Sequence, residues 1–180
     1  KVSVVFTGDA GKLSDDAAAA FAAWHDSGGT VADRIPDSAG WDLVVDGLFG
    51  IGLQRQLSGR HAELVMAING GGAPVLALDI PSGLESDSGQ VLGCAIRADH
   101  TATFVALKPG LLTCDGPDYC GELHVCLLDL DAASLLAPRG AVIGSDVLRD
   151  ALPPRHANSH KGDYGTVGVI GGAPGMVGAA

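Results

Sequence analysis

Two apolar runs in this chain each end on an aspartate and pass straight into a turn. Trp41-Asp-Leu-Val-Val-Asp46 leads into Gly47-Leu-Phe-Gly-Ile-Gly-Leu53, and Pro74-Val-Leu-Ala-Leu-Asp79 leads into Ile80-Pro-Ser-Gly83. Short apolar runs bounded by turn residues read as buried strands of a parallel sheet. In an open α/β sheet, ligands gather beyond the carboxyl ends of the strands. Two carboxylates placed there predict a polar site for a cation or a phosphate-bearing ligand.

The flanking pattern extends this to an α/β fold. Val2 to Phe6 reads as a strand and Thr7 to Leu13 as a polar loop. Ser14-Asp15-Asp16 reads as the capped, acidic start of a helix in which Phe21 and Trp24 share a buried face. Gly28-Gly29 stop it. Val31 to Ile35 follows as a second strand. Arg60 to Asn69 carries Leu64, Val65 and Ile68 at helical spacing and ends at Gly70 to Gly72. Thr101 to Leu107 and Leu123 to Leu128 are further strands, expected near the sheet edge. Alternating helices and strands imply right-handed crossovers and a largely parallel sheet.

Charge and cysteine usage narrow the partners. The formal net charge of -10 opposes phosphate backbones and anionic membranes, so neither nucleic acid nor membrane is expected as a partner. It leaves a nucleotide open, because helix ends and backbone N–H groups bind phosphate without net positive charge. No apolar stretch reaches the ~20 residues of a membrane span. Cys94, Cys114, Cys120 and Cys126 lack a Cys-x-x-Cys pair, and nearby His100 and His124 lie in strand-like runs. Reduced structural thiols of a cytoplasmic protein fit this better than zinc.

After about Asp129 the composition changes. A helix is suggested at Ser145-Asp146, and Arg155 to Asp163 is polar. Thr166 to Ile170 reads as a new strand before Gly171-Gly172 and Gly178, the opening of another nucleotide-type unit. The sequence thus predicts a domain boundary, with an N-terminal segment expected before Lys1.

Within the first loop, Gly50, Ile51, Gly52, Leu53, Gln54, Arg55 and Gln56 offer backbone N–H groups, two amides and a guanidinium, a set that suits phosphate. An ordinary solvated loop has the same composition. In the second, Pro81 fixes the turn and holds Ser82 near Asp79. Its hydroxyl can face an ion, or Asp79 and Ser82 can bond only to local backbone.

Taken in order, Asp46-Gly-Leu-Phe-Gly-Ile-Gly-Leu-Gln-Arg55, Ile68-Asn69, Leu78-Asp79-Ile-Pro-Ser-Gly-Leu84, Ala98-Asp99-His-Thr-Ala-Thr-Phe104 and Leu107-Lys-Pro-Gly110 resemble the NAD(P)H-hydrate epimerase family (YjeF N-terminal domain type). The resemblance covers residues 1 to 130. His160 to Ala179 is similar to the start of the ADP-dependent NAD(P)H-hydrate dehydratase domain, which has a ribokinase-like fold and is often fused to the epimerase. The resemblance implies a three-layer αβα Rossmann-like domain at 1–130, a linker at 131–163 and a dehydratase beginning at 164–180. It implies a potassium ion on Asp46 and Ser82, hydrated NAD(P)H on Gly50 to Gln56 and Asp79, and a dehydratase contact at Ala179. ADP or ATP would serve the dehydratase domain alone. Family members often pair, so a homo-oligomer is an expectation of the resemblance, although no interface stripe marks one. The family's Asn-Asn-Gly-Gly-Asp loop is not found in these residues.

Asp79 is the candidate proton carrier, with Lys12 a second candidate and Lys108 a group that helps close the site. Three other functions compete. A module of this fold could bind a nucleotide or a protein partner without chemistry. A conventional dehydrogenase needs Gly-x-Gly-x-x-Gly after the first strand, which Thr7-Gly-Asp-Ala-Gly-Lys12 does not supply. A kinase P-loop is missing from the tail.

Overall fold

β-branched and aliphatic residues build six short strands in the computed structural model, which describes residues 2–36, 40–135, 137–152, 154–172, 174 and 178. The strands are β1 (Val4–Val5), β2 (Val31–Ala32), β3 (Val44–Asp46), β4 (Val75–Leu78), β5 (His100–Phe104) and β6 (Glu122–Cys126). Every ladder among them is parallel. β1 and β2 form one pair, and β3-β4-β5-β6 form a four-stranded sheet in chain order. The class is α/β with parallel sheets, as in Rossmann-like folds. The chain separates into two compact units, Lys1–Leu136 and Ala137–Ala180.

Helix α1 (Asp15–Asp26) starts at Ser14, but the Ser14 hydroxyl makes no capping bond; Asp15 and Asp16 in the first turn carry the electrostatic part alone. No residue of α1 is fully buried, so the shared buried face expected of Phe21 and Trp24 does not form. Phe21 meets the Phe6 ring at a tilt, with centroids 5.2 Å apart. Trp24 instead lies on Gly29, where any Cβ would collide with the indole, and its Nε1 donates to the Thr30 carbonyl (3.1 Å).

Helix α2 (Gly59–Gly70) crosses between β3 and β4. Its Val65 joins Leu53, Leu57, Val75 and Ile96 in one core cluster, with Phe49 and Ile68 packed against it. A second cluster holds Ile80, Leu84, Leu111 and Cys120. In a parallel ladder, paired residues share a face. The face of β3, β4 and β5 that packs on this core carries Asp46, Val75, Ala77, Thr101 and Thr103, all buried. On the opposite face, none of Val45, Leu76, Leu78, His100, Ala102, Phe104, Glu122, His124 or Cys126 is buried.

β5 stops at Phe104 rather than continuing to Leu107, because Val105 turns to φ 67°. β6 stops at Cys126 rather than Leu128, where φ reaches 52°. The short helices α3 (Gly116–Tyr119) and α4 (Ala132–Leu135) complete the first unit.

The second unit holds α5 (Ser145–Ala151) and a 3₁₀ turn, Lys161–Tyr164, capped reciprocally by His160 and Asp163. Arg155 lies over the Tyr164 ring at 4.8 Å. The strand expected at Thr166 to Ile170 is not formed: the segment has no ladder partner among the described residues, and Val167, Val169 and Ile170 are exposed. No described helix is long and apolar enough to cross a membrane.

Candidate functional site

The carboxyl ends of β3 and β4 deliver Asp46 and Asp79, and each bonds across the fold. Asp46 is 1% exposed. Its Oδ2 accepts the Ser82 N–H (2.8 Å), and its Oδ1 accepts the Ser82 hydroxyl (2.7 Å) and the Leu48 N–H (3.2 Å). The Phe49 N–H donates in turn to Ser82 Oγ (2.9 Å). On the far side, the Ser82 carbonyl accepts the N–H of Ile96 (2.9 Å), a member of the core cluster.

Burial pushes the Asp46 carboxyl above the usual carboxylate range, against the lowering effect of the Ser82 and Leu48 hydrogen bonds. Among the described residues no basic side chain pairs with it. The Ser82 hydroxyl has one proton, and it donates that proton to Asp46 Oδ1, the nearer acceptor. The Phe49 carbonyl at 3.2 Å therefore meets Ser82 Oγ oxygen to oxygen. A desolvated carboxylate, a hydroxyl and a carbonyl crowded together form a hard-oxygen donor set that fits a hard cation.

Asp79 ends β4 with φ at 71°, in the left-handed region. Such strain in a non-glycine residue concentrates at functional sites. Its N–H remains in the ladder, bonded to the Ala102 carbonyl (2.7 Å). Its Oδ1 accepts from the Phe104 N–H (3.2 Å), from Thr103 Oγ1 (3.5 Å) and from the Lys108 ammonium. Lys108 also donates to Thr103 Oγ1 (2.9 Å) and the Phe104 carbonyl (2.8 Å), so its three donors are all engaged. Among the described residues no donor reaches Oδ2, which faces Gly50: a Cβ at Gly50 would sit 3.9 Å from it. The loop that carries Phe49 against Ser82 thus carries Gly50 against Asp79.

The rest of that loop divides. Gly50, Ile51, Gly52, Gln54, Arg55 and Gln56 are exposed, while Leu53 is buried in the core cluster and can offer a ligand only its backbone. Arg55 and Gln56 line a cavity of about 160 Å³ with Phe49, Leu53, Leu57, Ser58 and His61. Ser58 is the N-cap residue of α2, so the cavity lies at the electropositive end of that helix. His61 packs edge-on against Phe49 (4.9 Å).

Lys12 does not join the Asp79 cluster; its ammonium pairs with Asp9 (3.4 Å) on an exposed turn. Ala179 lies outside the described residues. Thr103, His61 and the Phe49 backbone were missed by sequence reasoning. Only Thr103 left a signal, as the second of two threonines alternating along a short strand. The four cysteines are free thiols, and burial pushes Cys120 up to about 11, which leaves it inert at neutral pH.

The family model described as "YjeF-related protein N-terminus" matches residues 1–110. The chain belongs to this family. It is 39% identical over 183 residues to the bifunctional NAD(P)H-hydrate repair enzyme Nnr of Vibrio cholerae, covering 99% of this chain and 37% of that protein. The enzyme of the same name from Escherichia coli is 43% identical over 171 residues, covering 93% of this chain and 33% of that protein. The NAD(P)H-hydrate epimerase of Bordetella bronchiseptica is 40% identical over 139 residues, covering 75% of this chain and 60% of that protein. The chain therefore spans about a third of the length of the two repair enzymes.

Proposed function

We propose that the protein interconverts the R and S epimers of hydrated NADH and NADPH, as an isomerase in nicotinamide nucleotide repair. The observation that carries this reading is the Asp79 carboxylate, fixed through Oδ1 by Lys108 and Phe104 and turned through Oδ2 toward the Gly50 loop. The family relatives named for this epimerisation supply the substrate.

In the substrate, a hydroxyl sits on the reduced-ring carbon beside nitrogen. Protonation of that hydroxyl and donation from the nitrogen lone pair release water and leave an iminium cation. Water adds to the opposite face and loses a proton, so the atoms balance and only the configuration changes. Asp79 Oδ2 is the group that carries the proton, and the anionic carboxylate stabilises the cation between the two steps. Lys108 and Thr103 hold the carboxylate in place. Gly50 to Gln56, with Arg55 and the amino end of α2, hold the phosphate-bearing part of the coenzyme.

Potassium is the proposed cation of the Asp46–Ser82–Phe49 oxygen set. When bound it offsets the buried charge and steadies the loop between Phe49 and Gly50. We assign residues 1–130 to the epimerase domain, 131–163 to a linker and 164–180 to the opening of a dehydratase domain. In the full-length protein that domain would dehydrate the S epimer with ADP or ATP, using Ala179 as a substrate contact. Free thiols suit a reducing, cytoplasmic setting.

The test adds one hydrated NADH epimer to the full-length protein and follows interconversion by chromatography. Interconversion that Asp79→Asn slows supports the reading. Tight coenzyme binding without interconversion would favour the nonenzymatic module instead.

A further inference from the structure

The amino end of the sheet, opposite the epimerase site, carries a second cluster of ligating groups. His100 opens β5, and Glu122 and His124 lie on β6. The ladder pairs His100 with Glu122 and Ala102 with His124, so all three side chains rise from the same face. That face has no buried residue, and the three side chains are about half to two-thirds exposed. His100 Nδ1 lies 3.1 Å from His124 Nε2, and Glu122 oxygens lie 3.7 Å from the first nitrogen and 4.0 Å from the second. Ala102, the fourth residue of this patch, pairs with His124 across the ladder and offers no ligating atom.

These separations decide what the cluster fits. Two nitrogens on one tetrahedral zinc ion, each at ~2.0–2.1 Å, stand about 3.3 Å apart. The imidazole pair already has that spacing, and a rotation of the exposed Glu122 carboxylate brings its oxygen in. Two imidazoles and one carboxylate are a donor set for zinc and its transition-metal neighbours, and unsuited to potassium, which takes oxygen. We propose that His100, Glu122 and His124 form a site for a single divalent transition-metal ion, zinc in particular, with its remaining position open to water or a further ligand. The site is separate from the epimerase centre: His100 and Phe104 stand four residues apart on β5, about 13 Å along the strand. The strands fix the three side chains relative to one another, so binding requires ordering of side chains and no rearrangement of backbone.

The test is a titration of tag-free protein with Co²⁺, read by its visible d–d bands, followed by displacement with Zn²⁺. The expected result is one equivalent of metal, displaced by Zn²⁺ and unaffected by excess K⁺. His124→Ala and Glu122→Gln should each weaken binding by at least ~10-fold, since even outer-shell partners of metal ligands are worth about that much. His160→Ala and Cys114→Ser should bind as the parent does. Circular dichroism of each variant separates lost binding from lost folding. Absence of saturable binding, an affinity equal to the parent's in both ligand variants, or a thiolate-to-metal charge-transfer band overturns the proposal. The first two outcomes leave the histidines as a hydrogen-bonded pair, and the third moves the ion to a cysteine.

Discussion

Ser82 gives both its hydroxyl and its backbone N–H to the carboxylate of Asp46, a residue 36 positions earlier in the chain. The bond ties the ends of two adjacent strands together and buries an anion that no described basic side chain neutralises. Its cost should be visible as a dependence on both pH and cation.

The sign of the pH effect follows from the raised Asp46 value. The folded state holds the proton more tightly than the unfolded chain does. Between 3.8 and the raised value the native state therefore carries more protons, and this group's contribution to stability falls as pH rises. Asp46→Asn should flatten that part of the stability curve, as measured by urea unfolding from acid to neutral pH. An unchanged slope would remove Asp46 as its source.

The potassium ion proposed for this site would bind the ionised carboxylate. At ~10 times its dissociation constant, linkage gives about 1.4 kcal/mol of stabilisation, equivalent to ~3–6 °C for a chain of this size. The gain should appear near neutral pH in KCl relative to tetramethylammonium chloride, shrink in acid, and vanish in Ser82→Ala and Asp46→Asn. Equal melting shifts in all three proteins would defeat the ion assignment.

Asp79→Asn should lower the epimerisation rate of the full-length protein by roughly 100- to 10,000-fold. Asparagine tolerates the left-handed backbone that Asp79 adopts, so the variant should melt near the parent. Lys108→Met should also slow epimerisation, by releasing Oδ1. A rate within twofold of the parent for Asp79→Asn removes it from the chemistry.

Gly83 turns at φ 99°, and a Cβ there would lie 2.0 Å from the Cys94 carbonyl oxygen. Gly83→Ala combines backbone strain with a clash against main chain. It should cost about 3 kcal/mol or more, seen as a midpoint lower by ~6–12 °C. A fall of under ~2 °C would mean that the turn can open at little cost.

The core and the site loop should respond differently to the same truncation. Ile96 is fully buried, and Ile96→Ala should cost about 2–5 kcal/mol. Ile51 is 61% exposed, and Ile51→Ala should stay within about 0.5 kcal/mol. Urea midpoints measured side by side check both.

The strand-end aspartates were legible because each closes an apolar run, and the parallel ladders followed from the alternation around α2. Lengths were less legible. Val105 and Leu128 are apolar and read as strand, yet both sit at positive φ, a choice made by the turns that follow them. The Asp79–Lys108 pair joins residues 29 apart, and nothing local to Lys108-Pro109-Gly110 distinguishes it from an ordinary turn. Phe21 and Trp24 had the right spacing for a buried face, but burial depends on what the fold places opposite, and Trp24 found Gly29 instead.

Ser82 is gripped from two sides, by Asp46 in front and by the Ile96 amide behind. A cation in the oxygen cluster would therefore be felt beyond the loop that forms it. The proton on the Ile96 nitrogen becomes a built-in gauge: its exchange with deuterated solvent should slow when the cation is present and quicken when it is withdrawn.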